Sequence, residues 1–301
     1  MPPIKIPPYW KELAEDIHDA KGVVMVVGAS NTGKTTLAYY LAKELHKRRK
    51  RASIVSADMG QCAFGPPATI SMAILESVPK SLKDIPTHSM YFIGSTSPIG
   101  HLLQTVVGVK KLVDKSLQEG AEVVVVDTTG LVSGGAAWEL KFHKIELTDA
   151  RCIVALERAR ELEDILLPHE RRAGRKLYRL PVFEQTKARS YEQRREYRRQ
   201  RFEEYFRDAK NKSLSLRNIR LVNPHDKTIQ KGESDAFKRL LVGLNDDGNF
   251  SIALGVIGNI DLKKGRIRLL TPLEASRDVR LIRLGSVKIE ENWSDSRMRF
   301  V

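Results

Sequence analysis

Apolar and polar positions alternate along this chain in two rhythms. Short runs rich in valine, isoleucine and alanine occur at residues 22–27, 52–56, 90–93, 122–126 and 152–156. Each is too apolar for a strand with one face in water, so each reads as a strand buried on both faces. Between them, residues 33–47, 100–118 and 136–147 follow helical patterns. Strands alternating with helices predict right-handed crossovers and an α/β fold with a mainly parallel, doubly wound sheet. Beyond residue 157 the rhythm changes. Residues 158–167 read as a helix, 169–176 as a charged segment and 187–210 as a long basic helix. From about residue 215, short strands at 240–244, 250–257, 266–270, 279–283 and 287–289 are punctuated by glycine, Asp-Gly and proline. The expected organisation is one larger domain over residues 1–214 and a small β-rich domain over 215–301.

Composition narrows the class. With 42% apolar residues the chain can bury a core without staples. The two cysteines, Cys62 and Cys152, form no C-x-x-C unit, which excludes a disulfide scaffold and a zinc ribbon. No apolar run approaches the roughly 18 residues of a membrane helix. The opening MPPIKIPPYW has no signal-peptide pattern. The expectation is a soluble, intracellular, cytoplasmic protein with no membrane partner. Fifty-one basic against 37 acidic residues leave a net charge of +14, which points to a polyanion such as nucleic acid.

The strongest chemical signal is Gly28-Ala29-Ser30-Asn31-Thr32-Gly33-Lys34-Thr35, followed by Thr36. It fits G-x-x-x-x-G-K-[ST], lies after the apolar run VVMVV, and opens a helical run. Backbone N–H groups of such a loop form an anion nest, and the helix N-terminus adds partial positive charge. Lys34 is expected on the β- and γ-phosphates and Thr35 on Mg²⁺. The Asn-Lys-x-Asp signature of guanine readers is missing, which favours ATP or loose base choice.

Two aspartates end apolar strands, Asp58 after SIVSA and Asp127 after VVVV. Strand C-terminal ends line the ligand crevice of a parallel sheet. Either carboxylate could sit by Mg²⁺ or accept a proton from an attacking hydroxyl, or simply cap a turn. The basic helix offers two readings as well. Its arginines could follow phosphates while Tyr191, Tyr197, Phe202, Tyr205 and Phe206 stack on bases, or the aromatics could pack on the domain with the arginines solvated. His101, His143 and His169 lack metal-ligand spacing. Cys62 adjoins Gln61, but phosphoryl transfer needs no covalent step from it.

Several segments, in order, resemble polynucleotide 5′-hydroxyl kinases. These are the RNA kinases of tRNA splicing, mRNA 3′-end cleavage and pre-ribosomal RNA processing, with archaeal and bacterial relatives. The likeness rests on Asp58-Met59-Gly60-Gln61 with the following Pro66-Pro67 and Thr69-Ile70-Ser71, on 91–98, on 127–134, on 171–175 and on 189–195. It spans roughly residues 20–295. The resemblance implies a P-loop kinase domain that includes a lid and the basic helix. It implies that Asp58 acts at the metal and as base, with Gln61 beside it. Arg171 and Arg175 would be lid arginines steadying the phosphates. Thr96, Thr128, Thr129 and Gly130 would hold the nucleic-acid end, in a clasp where Leu131 occupies a tryptophan position. The implied function is Mg²⁺-dependent transfer of the ATP γ-phosphate to 5′-hydroxyl ends of RNA or DNA, with RNA-processing proteins as further partners. The competing readings are an ATP-bound, non-catalytic subunit of an RNA-processing complex and a regulatory P-loop GTPase.

Overall fold

Successive residues of the strand at Gly22–Gly28 point to opposite faces of a sheet, and both faces are covered. Val24 and Val26 enter one apolar cluster and Val23, Met25 and Val27 another. In this computed structural model, which describes residues 6–223 and 234–298, the first sheet holds β1 (Gly22–Gly28), β2 (Ala52–Ala57), β3 (Thr69–Ile74), β4 (Ser89–Phe92), β5 (Val123–Thr128), β6 (Ala150–Glu157) and β7 (Lys176–Pro181). Their order is β4–β3–β2–β5–β1–β6–β7. Pairing is parallel except that β3 runs against both β2 and β4. Helices α1 (Pro8–Asp16) and α2 (Lys34–Lys47) cover one face. Helices α3 (Leu102–Gln118), α4 (Gly135–Leu147) and α5 (Glu163–Glu170) cover the other. The C-terminal ends of β1, β2, β5 and β6 therefore open on one side, at Gly28, Ala57, Thr128 and Glu157.

Helix α6 (Tyr191–Phe206) starts at a capping box, with Ser190 Oγ accepting from Gln193 N–H and the Gln193 side chain accepting from Ser190 N–H. It leads into the second sheet: β8 (Lys210–Ser215), β9 (Arg220–Val222), β10 (Leu240–Asn245), β11 (Ser251–Asp261), β12 (Arg266–Thr271), β13 (Leu281–Ile289) and β14 (Asp295–Arg297). The order is β14–β13–β10–β11–β12–β8, with β9 added parallel to β13. Residues 210–214 thus pair within this sheet rather than ending the first domain.

The two sheets meet at β4, the edge strand of the first. Phe92 N–H donates to Ser251 Oγ at 2.9 Å, and Ser286 N–H donates to Gly94 O at 2.7 Å. Phe92, Phe202, Phe206, Leu241 and Leu254 form one shared apolar cluster. The second domain hides an edge that would otherwise expose unpaired backbone groups.

Candidate active site

The loop after β1 builds an anion cradle from local rules. Gly33, the N-cap of α2, has φ +88°, a left-handed conformation that glycine adopts without strain. No side chain caps that helix end, so its first N–H groups are available to phosphate oxygens. Thr36 lies in the first turn, half-buried. Gly130 presses on the loop from the end of β5, where an added Cβ would lie 2.7 Å from Ser30 N and Cα. Only glycine permits that approach.

Lys34 is 7% exposed and crosses its own loop, donating through Nζ to Ala29 O at 2.6 Å. The same carbonyl accepts from Thr32 Oγ1 at 2.9 Å. Burial lowers the Lys34 pKa; Asp127 and Asp58 oppose this, while Arg158 and Arg194 add to it. Both carboxylates and both guanidinium groups therefore act within range of this ammonium.

Thr35 Oγ1 donates to Asp127 Oδ2 at 2.7 Å. Asp127 is 1% exposed, and its Oδ1 is buried without a hydrogen-bond partner among the described residues. Desolvation pushes its pKa up to about 6 against the pull of Lys34 and Thr35. A hydroxyl, a carboxylate with an orphaned oxygen and a nearby second aspartate are hard oxygen donors. They fit Mg²⁺, which binds through one or two carboxylates plus substrate phosphates rather than a full protein cage. Among the described residues no cluster of three or more His, Cys, Asp or Glu is placed to hold a metal alone.

Asp58 Oδ1 accepts from Gly60 N–H at 3.0 Å and Gln61 N–H at 3.2 Å, which folds the turn after β2 around it. Gln61 Oε1 accepts from Arg189 Nη1 at 3.2 Å. Arg189 N–H in turn donates to Asn31 Oδ1 at 3.2 Å, so one arginine bridges the Asp58 turn and the phosphate loop. Arg158, just past β6, donates to Asn31 O at 2.8 Å.

Other expected site residues lie elsewhere. Arg175 is buried against Glu146, with Nη1 at 2.9 Å, and its Nε donates to Ala150 O at 2.8 Å. Ala150 begins β6 and Glu157 ends it, so Arg175 lies about 20 Å from the loop at ~3.3 Å per strand residue. Arg171 is an exposed residue at the end of α5. The lid assignment of Arg171 and Arg175 is thus corrected, because both belong to the far end of the sheet. Thr128 is fully buried and donates to Val26 O at 2.8 Å. Thr129 is 3% exposed, and its carbonyl accepts from Lys141 Nζ. These threonines tie β5 to β1 and α4, and among the described residues the buried Thr129 hydroxyl has no hydrogen-bond partner. Thr96 Oγ1 donates to Asp295 Oδ2 at 3.2 Å, and its carbonyl lies against Gly60.

The aromatics of α6 pack. Phe202 and Phe206 are buried, Tyr205 Oη accepts from Leu254 N–H, and Tyr197 Oη donates to Cys62 O. Tyr191 alone of the five is strongly exposed. Arg189 and Arg194, expected only as part of a basic helix that could follow phosphates, lie near the loop, and Arg158 joins them without any expectation from the sequence; so do two fully buried lysines on α4. Lys141 Nζ donates to Thr128 Oγ1 at 2.7 Å, whereas Lys144 Nζ has no hydrogen-bond partner among the described residues. Burial lowers the Lys141 pKa strongly and the Lys144 pKa to about 8. The R-x-x-x-R spacing assigned to 171–175 recurs at Arg194 and Arg198 on the capped helix, which was an available signal.

The family model for the mRNA cleavage and polyadenylation factor CLP1 P-loop matches residues 28–208. The chain belongs to this CLP1 P-loop family. The matched stretch runs from the phosphate loop to the end of α6, which holds every residue of the cradle. A polyribonucleotide 5′-hydroxyl-kinase of Methanocaldococcus jannaschii is 31% identical, with 95% of each chain covered. One from Pyrococcus abyssi is 34% identical over 90% of this chain and 89% of its own. A polyribonucleotide 5′-hydroxyl-kinase Clp1 of Xenopus tropicalis is 28% identical, covering 61% of this chain and 43% of its own. The fold matches Clp1p in its complex with Pcf11p at a TM-score of 0.68 and 15% identity, over 93% of this chain and 79% of that one.

Proposed function

We propose that this CLP1-family chain is a polynucleotide 5′-hydroxyl kinase that moves the γ-phosphate of ATP to the 5′-hydroxyl of RNA, and of DNA where the end is accessible. The observation that carries this is the arrangement around Lys34. The Thr35–Asp127 pair flanks it on one side, and the Asp58–Gln61 turn joins it through Arg189 on the other. The kinase names of relatives that cover most of the chain support the same reading.

In the reaction the loop N–H groups and Lys34 hold the β- and γ-phosphates. Thr35 and Asp127 would hold Mg²⁺ together with the phosphates, and the ion would supply charge neutralisation during transfer. Asp58 accepts the proton of the 5′-hydroxyl as that oxygen attacks in line. Gln61 and Arg189 keep the Asp58 turn in register with the loop. Arg158 and Arg194 add positive charge where the leaving oxygens gain negative charge, which favours the transition state over the ground state.

The test is incubation with γ-labelled ATP and a 5′-hydroxyl oligonucleotide beside its 5′-phosphorylated twin. Label on the first alone, dependent on Mg²⁺, is the expected result. ATP binding without transfer would instead support a nucleotide-bound structural subunit of an RNA-processing assembly, a role that fits the partner seen with Clp1p. GTP hydrolysis without an acceptor would support a GTPase. Among the described residues no helix is long and apolar enough to cross a membrane.

A further inference from the structure

Asp295 opens β14 at the edge of the second sheet, yet its carboxylate serves the first domain. Oδ1 accepts from Arg198 Nε at 2.9 Å and Oδ2 accepts from Thr96 Oγ1 at 3.2 Å. The Arg198 and Asp295 side chains are 12% and 9% exposed, so the pair is nearly dry. Each partner leads to one side of the candidate site. Thr96 O lies so close to Gly60 that a Cβ there would approach it to 2.7 Å, and Gly60 N–H donates to Asp58. Arg198 is one helical turn past Arg194, whose charge is felt by Lys34. One carboxylate thus couples the acceptor turn to the helix that carries arginines over the phosphate loop.

A simple staple between domains would not need this geometry. The domains are already joined through Ser251, Ser286 and the aromatic cluster. Among the described residues, Arg198 is bonded through Nε alone, and neither Nη has a hydrogen-bond partner. A carboxylate on Nε fixes the plane of the guanidinium and leaves its Nη donors for another acceptor. Neither Nη is among the buried unpartnered atoms, so both reach the surface of the site and stay open to a ligand. An anion entering beside Arg194, whose own Nε is buried without a hydrogen-bond partner among the described residues, would meet them.

We propose that Asp295 is a positioning residue of the kinase site. It orients Arg198 toward phosphate and braces Thr96 behind the Asp58 turn, which makes the C-terminal sheet part of the catalytic apparatus. The proposal rests on the kinase reading above. The experiment compares D295A, D295N, R198A and D295A/R198A in the full chain, with thermal midpoints measured alongside. D295A and D295N are expected to lower kcat roughly ten- to a hundredfold, the scale of a catalytic group misplaced by about 1 Å. KM for ATP should stay within about threefold, as loss of a transition-state contact requires. In the R198A background D295A should add little, because the partner is already gone. Wild-type kcat in both Asp295 variants, or losses that multiply in the double variant, would overturn the proposal. The same four proteins are titrated with a 5′-phosphorylated oligonucleotide by anisotropy. If the wild type transfers no label, the kinase reading fails, and non-additive binding losses still uphold the Asp295–Arg198 coupling while additive ones refute it.

Discussion

Thr35 Oγ1 and Asp127 Oδ2 are 2.7 Å apart, and the other oxygen of that carboxylate is buried without a hydrogen-bond partner among the described residues. The fold therefore holds a desolvated carboxylate whose unmet valence suits a cation, at a standing cost to the free protein. Asp127 rises from an ordinary 3.8 to about 6 on burial. At about 1.4 kcal/mol per tenfold change in proton affinity, its ionised form costs at most about 3 kcal/mol above pH 6. The cost is absent below pH 4, where folded and unfolded states are both protonated. It grows as pH rises to 6, because the folded state then binds more protons. In nucleotide- and metal-free buffer D127N is expected to be more stable than wild type at pH 7 and no more stable at pH 4. It should also lose transfer activity. Urea denaturation at the two pH values checks this, and a D127N protein less stable at pH 7 contradicts it.

Lys34→Ala and Asp58→Asn are expected to fail in different ways. Lys34→Ala removes a phosphate contact, so nucleotide affinity and transfer should both drop. Asp58→Asn keeps the oxygen that accepts from Gly60 and Gln61 but cannot take a proton. Nucleotide binding should persist while kcat falls roughly a hundred- to ten-thousandfold. Calorimetry with an ATP analogue beside transfer assays separates the two. An active Asp58→Asn with an inactive D127N would move the base to Asp127.

Much of this could be read from the residues because local rules determine it. The phosphate loop needs glycine at Gly33 and an apolar strand before it, and both are contiguous in sequence. The parallel strands announced themselves as apolar on both faces. What escaped depends on long-range pairing. β7, with sequence KLYRLP, is a half-exposed edge strand whose charged positions hide its period. Arg175 and Arg194 both lie in charged runs, one beside a glycine turn and one inside a helix. Only the direction of β6 and the docking of α6 send one to Glu146 and bring the charge of the other within reach of the phosphate loop. Lys141 and Lys144 are buried on the same helix whose Glu139 and His143 are exposed, and nothing local in the helical pattern of 136–147 separates the two sets.

The two arginine pairs make opposite predictions. Arg175→Ala removes the buried member of a partly exposed pair, its own side chain being 3% and that of Glu146 28% exposed, and Glu146 keeps Arg172. It should destabilise the fold by about 1–2 kcal/mol and leave kcat of the folded fraction unchanged. Arg171→Ala should change neither. Arg194→Ala should lower kcat about ten- to a thousandfold, by analogy with other phosphoryl-transfer arginines, with little effect on stability. Thermal melts and steady-state kinetics on the three variants decide. A loss of turnover in Arg171→Ala at unchanged stability would restore the 171–175 segment as a lid.

Lys144 is the clearest case of a buried charge that the proposed chemistry does not use. It is fully buried on α4, its Nζ has no hydrogen-bond partner among the described residues, and desolvation brings its pKa from 10.5 to about 8 despite attraction from Asp58 and Asp127. A folded-state pKa below the unfolded one means that the unfolded chain binds more protons between pH 8 and 10.5. Stability contributed by this group therefore rises with pH across that window. Below pH 8 the ammonium is charged in both states and its desolvation cost is present in full, about 3 kcal/mol at ~1.4 kcal/mol per tenfold change in proton affinity. Methionine has nearly the same length and no charge, so Lys144→Met removes the cost while filling the space. The variant is expected to be more stable than wild type at pH 7 by about 2–3 kcal/mol, the upper end set by that cost. The difference should shrink toward zero near pH 10.5, where the wild-type amine is neutral in the fold and half-neutral in the unfolded chain. Urea midpoints at pH 7 and pH 10 measure both. A Lys144→Met protein that is less stable than wild type at pH 7 would mean that Nζ has a strong partner, such as an ordered water or an anion.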